Sequence, residues 1–81
     1  MVKLKFFAQL RERLGTASIN VEYAGQKTVA DLKDALLEKG EKWTLLKEQD
    51  VLCAVNQTLC GQDARINDGD EIAFFPPVTG G

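Results

Sequence analysis

The stretch that decides the fold runs from Thr28 to Gly40: Thr28-Val29-Ala30-Asp31-Leu32-Lys33-Asp34-Ala35-Leu36-Leu37-Glu38-Lys39-Gly40. Thr28 with Asp31 three residues later predicts a capping box with the shorter acid, in which each side chain satisfies the other's backbone N–H. Val29, Leu32, Ala35 and Leu36 then recur at helical spacing, so one face is apolar. Gly40 is the natural stop, because a helix commonly ends on a residue in the left-handed conformation. This is the one clear amphipathic helix of the chain.

On either side of it the period changes from 3.6 to 2. Val2, Leu4, Phe6 and Ala8 alternate with Lys3, Lys5 and Phe7, which marks a half-buried strand. Gln9 to Leu14 predicts a short helix with Leu10 and Leu14 inward, stopped by Gly15. Ile19, Val21 and Tyr23 alternate with Ser18, Asn20 and Glu22 in a second strand, with Gly15-Thr16 as its connection to the first. Glu41 to Lys47, around Trp43, Leu45 and Leu46, predicts a further helical turn.

Beyond it, Val51 to Asn56 is an apolar, two-sided strand whose inward face the pattern leaves open. Gln57 to Cys60 is a turn and a short edge segment. Asn67-Asp68-Gly69-Asp70 is a turn, with Gly69 available for a positive φ. Glu71 to Phe75 is the last strand, with Ile72 and Phe74 on one face and Glu71, Ala73 and Phe75 on the other. Pro76-Pro77 ends it, since proline has no ladder donor.

A hairpin, a helix crossing and further strands predict an α+β domain, a mixed sheet with one main helix packed on one face. The β-grasp, or ubiquitin-like, fold has this order, and in it the first and last strands are central neighbours. The expected division is a domain over residues 1–77 and a tail, Val78-Thr79-Gly80-Gly81, over residues 78–81.

Composition limits the function classes. Eighty-one residues make one domain, 44% apolar and 27% charged, as in an ordinary globular protein. At this length roughly 60–65% of the unfolded surface is buried, so the core is thin. The net charge of −2 argues against an electrostatic grip on nucleic acid. Lys3 and Lys5 interrupt the apolar residues at the N-terminus, so no signal peptide is expected, and no run approaches a membrane span. The expected compartment is the cytoplasm. There is no histidine and no metal-ligand spacing, so no bound metal or cofactor is expected. Cys53 and Cys60 read as small buried hydrophobes in a reducing compartment rather than as a disulfide framework or persulfide sites.

One helix covers one sheet face. Val2, Leu4, Phe6, Ile72 and Phe74 would meet it, leaving Phe7 and Phe75 on the opposite side. With the first and last strands adjacent, the two rings lie close together. Aromatic anchors with a polar rim mark an interface, and Lys3, Lys5, Arg11 and Arg13 would supply a basic rim suited to an acidic partner groove. The bland alternative is a loop covering both rings within the monomer.

The tail points the same way. Four residues beyond Pro77 reach about 13–14 Å when extended, enough to enter a deep site, and glycines pass a narrow channel. The alternative is a frayed end without a task. A terminal carboxylate is a poor electrophile. To carry sulfur, Gly81 must first be activated, most simply as an acyl-adenylate made with ATP by another enzyme. A sulfur nucleophile then displaces AMP and leaves a thiocarboxylate.

Phe6-Phe7-Ala8-Gln9 with Arg11-Glu12, Ala54-Val55-Asn56-Gln57, Asp68-Gly69-Asp70-Glu71, and above all Phe74-Phe75-Pro76-Pro77-Val78-Thr79-Gly80-Gly81 resemble the small subunit of molybdopterin synthase, the MoaD family. The resemblance covers the whole chain. It implies a β-grasp fold and a noncatalytic sulfur carrier that is active only with the large subunit, MoaE, in a heterotetramer. It implies that an E1-like adenylyltransferase of the MoeB type activates Gly81 with ATP. The resulting thiocarboxylate then passes sulfur to cyclic pyranopterin monophosphate in molybdenum cofactor biosynthesis. Gly81 carries over as the functional residue and Gly80 as its neighbour; Phe7, Leu59 and Phe75 carry over to the partner surface. The rival readings are a sulfur carrier of thiamine (thiazole) biosynthesis, a ubiquitin-like protein modifier, and a binding module with an idle tail.

Overall fold

The computed structural model describes residues 1–47 and 51–77; Val78, Thr79, Gly80 and Gly81, on which the tail reading rests, lie outside them. Strand β1 (Val2–Phe6) is followed by helix α1 (Ala8–Leu14), strand β2 (Ser18–Val21), helix α2 (Val29–Leu37) and a 3-10 segment (Glu41–Lys47). Strands β3 (Leu52–Val55), β4 (Thr58–Cys60) and β5 (Glu71–Phe75) complete the order. They form one five-stranded sheet, β2-β1-β5-β3-β4. The first and last strands are parallel neighbours in its middle, with Leu4 opposite Ile72 and Phe6 opposite Phe74. The other pairings are antiparallel. This is the mixed-sheet β-grasp arrangement.

The capping box at α2 forms as the sequence predicts. The amide of Asp31 donates to Thr28 Oγ1 at 3.2 Å, and the amide of Thr28 donates to the Asp31 carboxylate at 3.3 Å. Val29, Leu32 and Leu36 are fully buried against Val2, Leu4 and Phe74 of the sheet. Burying side chains of this size contributes about 1.5–3 kcal/mol each. The 3-10 segment lays Trp43 against Phe6, ring centroids 5.7 Å apart, and Phe6 stacks near Phe74 at 6.0 Å.

Three details differ from the sequence pattern. Alternation placed Ala8 on the inner side of the first strand, but Phe7 is already the N-cap of α1 and Ala8 is exposed at the helix start. Helix α2 ends at Leu37 with Glu38 as its cap rather than running to Gly40, because the chain tightens there into i→i+3 hydrogen bonds, Lys39 to Leu36 and Gly40 to Leu37. Lys33, which counts as polar in any pattern, is 1% exposed. It lies between Val29 and Leu36 on the helix, inside the buried stripe. Gly15, at φ 75, ends α1 as expected.

No helix among the described residues is long and apolar enough to cross a membrane.

Candidate functional site

The register separates the two faces of the sheet. Cys53 stands opposite Phe74 and Val55 opposite Ile72, so these point to the helix side. Leu52 stands opposite Phe75 and Ala54 opposite Ala73, so these share the outer face. This settles the strand whose inward side alternation left open. On β4, Leu59 lies opposite Ala54 and is 67% exposed. Leu59, Ala54, Ala73 and Lys5 therefore form one row across four strands.

A second row crosses the end of the sheet. The amide of Phe7 donates to the carbonyl of Phe74 at 3.1 Å. The parallel pairing of β1 and β5 thus continues one step past β1 and sets Phe7 beside Phe75. Phe7 is 47% exposed. Phe75 is half-buried rather than fully exposed, because it is flanked by Leu52 on one side and Phe7 on the other. The result is an apolar face with alanines at its centre and Leu59, Phe75 and Phe7 standing around them.

The rim is charged. Lys5 Nζ is 3.1 Å from Glu71 Oε1, so this lysine is balanced within the face, while Lys3, opposite Glu71, is exposed. Arg11 and Arg13 are exposed on α1, with Leu10 and Leu14 buried beneath them. Arg11 lies one helical turn beyond Phe7.

The hairpin that presents Leu59 depends on Asn56 and Gln57. Both have positive φ, 49° and 70°, the two-residue turn whose twist matches that of the flanking strands. Asn56 also reaches across to β5. Its Nδ2 donates to Asp70 Oδ1 at 3.0 Å, and its Oδ1 accepts from the amide of Glu71 at 3.0 Å. Asp70 in turn closes the Gly69 turn by accepting from the amide of Asn67 at 2.8 Å. Leu52 and Ala54 were not singled out from the sequence. The signal that finds them is the tight Asn56-Gln57 turn, which pairs Val55 with Thr58 and hence Ala54 with Leu59.

The chain leaves the sheet at the same end. After Phe75, Pro76 is half-buried and Pro77 exposed, so the residues leading to Val78, Thr79, Gly80 and Gly81 depart beside Phe7, Phe75 and Leu52. The described residues contain no group of three metal-ligating side chains.

A family model described as the ThiS family matches residues 4–81. The chain is 48% identical over 82 residues to the molybdopterin synthase sulfur carrier subunit of Escherichia coli (strain K12), covering 100% of both chains. It is similar to the solved structure of SAMP1 from Haloferax volcanii, with a TM-score of 0.78 at 29% identity, covering 99% of this chain and 98% of that one. It is also similar to a chain in the protein–protein complex of subunits 1 and 2 of the molybdopterin-converting factor from Helicobacter pylori 26695. There the TM-score is 0.64 at 26% identity, covering 99% of this chain and 97% of that one.

Proposed function

Because this chain belongs to the ThiS family, we propose that it is the sulfur carrier subunit of a molybdopterin synthase, with the carboxylate of Gly81 as the reacting group. One observation carries this reading: the likeness to a carrier subunit runs end to end, so it includes Val78-Thr79-Gly80-Gly81, which follow Pro76-Pro77 after the central strand β5.

The steps follow from carboxylate chemistry. An activating enzyme of the MoeB type joins Gly81 to AMP from ATP and releases pyrophosphate. ATP is that enzyme's substrate and not a ligand of this chain. A sulfur nucleophile displaces AMP, leaving a terminal thiocarboxylate. Its sulfur then attacks an electrophilic carbon of cyclic pyranopterin monophosphate, and hydrolysis of the acyl link restores Gly81. The carrier contributes recognition and reach. The chain has no histidine to act as a general base, so the proton transfers belong to its partners. Phe7, Leu59 and Phe75, with Arg11 at the rim, form the docking surface for a large subunit of the MoaE type in a heterotetramer. Support for that partner comes from the two-subunit complex to which the chain is similar.

The likeness to SAMP1, a small archaeal modifier protein, favours a protein modifier as the second reading. Intact-mass measurement separates the two. With ATP, an E1-like activator and a sulfur source, the carrier gains one sulfur in place of one oxygen, and deletion of Gly81 abolishes the change. Persistence of the change without Gly81 overturns the mechanism. Isolation of adducts joined to substrate lysines would promote the modifier.

A further inference from the structure

Cys53 and Cys60 form a pair on the inner face that the carrier chemistry leaves unused. They occupy directly opposed positions on β3 and β4. Their sulfurs are 3.8 Å apart, and the Cys53 thiol is also 3.4 Å from the Cys60 carbonyl. Directly opposed residues of an antiparallel pair have Cα atoms about 4.5 or 5.5 Å apart, and both values fall within the range a disulfide spans. Bonding requires the sulfurs to approach to about 2 Å. The structure permits this movement on one side only. Strand β4 is three residues long, lies at the sheet edge and pairs with β3 alone, whereas Cys53 is 2% exposed and held between β4 and β5.

We propose that Cys53 and Cys60 form a cross-strand dithiol that closes reversibly to a disulfide by exchange with a low-molecular-weight disulfide. Cys60 is partly exposed whereas Cys53 is buried, so Cys60 is the first to meet the reagent. Its thiolate attacks one sulfur of the small disulfide, forming a mixed disulfide and releasing one thiolate. The Cys53 thiolate then attacks the Cys60 sulfur, forming the protein disulfide and releasing the second thiolate. Two protein thiols are oxidised, one small disulfide is reduced to two thiols, and the two protons pass to the released thiolates.

The surroundings fix this order. Burial first, then hydrogen bonding and proximity to Cys60, push the Cys53 thiol up to about 11, so it is the poorer first nucleophile. Lys33, whose Nζ lies 5.5 Å from the centre of the Phe74 ring, opposes that rise and favours the Cys53 thiolate that the second step needs. Closure ties the edge strand to β3 immediately beside Leu59, so it also holds that exposed side chain in place.

The test treats the full chain with oxidised glutathione, blocks remaining thiols with an alkylating agent, and maps the products by peptide mass. The expected product is a monomer lighter by two hydrogens, with Cys53 and Cys60 in one linked peptide pair, restored to two free thiols by dithiothreitol. Cys53→Ala should instead stop at the glutathione adduct on Cys60. A wild-type chain that stops at that adduct, or that yields dimers joined through Cys60, overturns the proposal.

Discussion

Leu52 on β3 stands directly opposite Phe75 on β5, and this pairing turns a strand end into part of a surface. Phe75 has Leu52 in register on one side and Phe7 on the other, and it is half-buried before any partner arrives. A side chain already held in this way loses little rotamer freedom on binding, which is a property of interface anchors.

Phe75→Ala should therefore weaken binding to the large subunit by about 2 kcal/mol, measured by titration calorimetry. Leu59→Ala, at the opposite end of the same face, should also weaken it. Unchanged affinity in both variants would remove this face from the docking surface.

Lys33 places a cation in the core. Burial lowers its pKa from the usual lysine value, with Lys47 adding to the effect and Cys53 opposing it. Among the described residues its Nζ has no hydrogen-bond partner. Replacing a buried charge with an apolar residue of similar volume is often stabilising, so Lys33→Met should raise the urea midpoint, by about 1 kcal/mol of stability. The unfolded chain holds the Lys33 proton more tightly than the folded one. Stability from this group therefore rises with pH between its lowered folded value and 10.5, and the variant should lack that rise.

Cys53 gives the opposite slope. Its thiol is raised from 9.0 to about 11, so between those values the folded state holds a proton that the unfolded state has lost. Its contribution is complete below pH 9 and disappears as pH approaches 11, a loss of at most about 2–3 kcal/mol. Cys53→Ala should flatten the urea midpoint across that range. A midpoint that falls equally in both proteins would assign the loss to another group.

The β3–β4 turn predicts two changes of opposite sign. Asn56 tolerates its left-handed backbone and makes two side-chain hydrogen bonds to the Asp70-Glu71 segment. Asn56→Ala should destabilise by about 1–2 kcal/mol. Gln57 holds φ 70° without comparable bonds among those described, and Gln57→Gly should stabilise by about 0.5–1 kcal/mol. Urea denaturation of both variants checks the pair.

Local signals were legible in the sequence because their causes are local. The Thr28–Asp31 capping box, the stop at Gly15, the alternation of β1 and β5 and the turn at Gly69 each depend on residues within a few positions. The apolar–polar alternation also placed Phe7 and Phe75 on the outer face once β1 and β5 were set side by side. The Phe74-to-Gly81 segment is where the proposed reacting group is read, because that signal is the order of residues itself.

Tertiary structure decided what register controls. A two-sided apolar strand has no preferred face until its neighbours are paired, so only the β3–β5 register sends Cys53 inward and Ala54 outward. Lys33 is buried because its place on the helix falls inside the packed stripe, whatever its charge. Cys53 and Cys60, seven positions apart, read singly as small hydrophobes. The two-residue turn at Asn56-Gln57 makes them opposite neighbours and brings their sulfurs to 3.8 Å, a distance that neither residue's local sequence encodes.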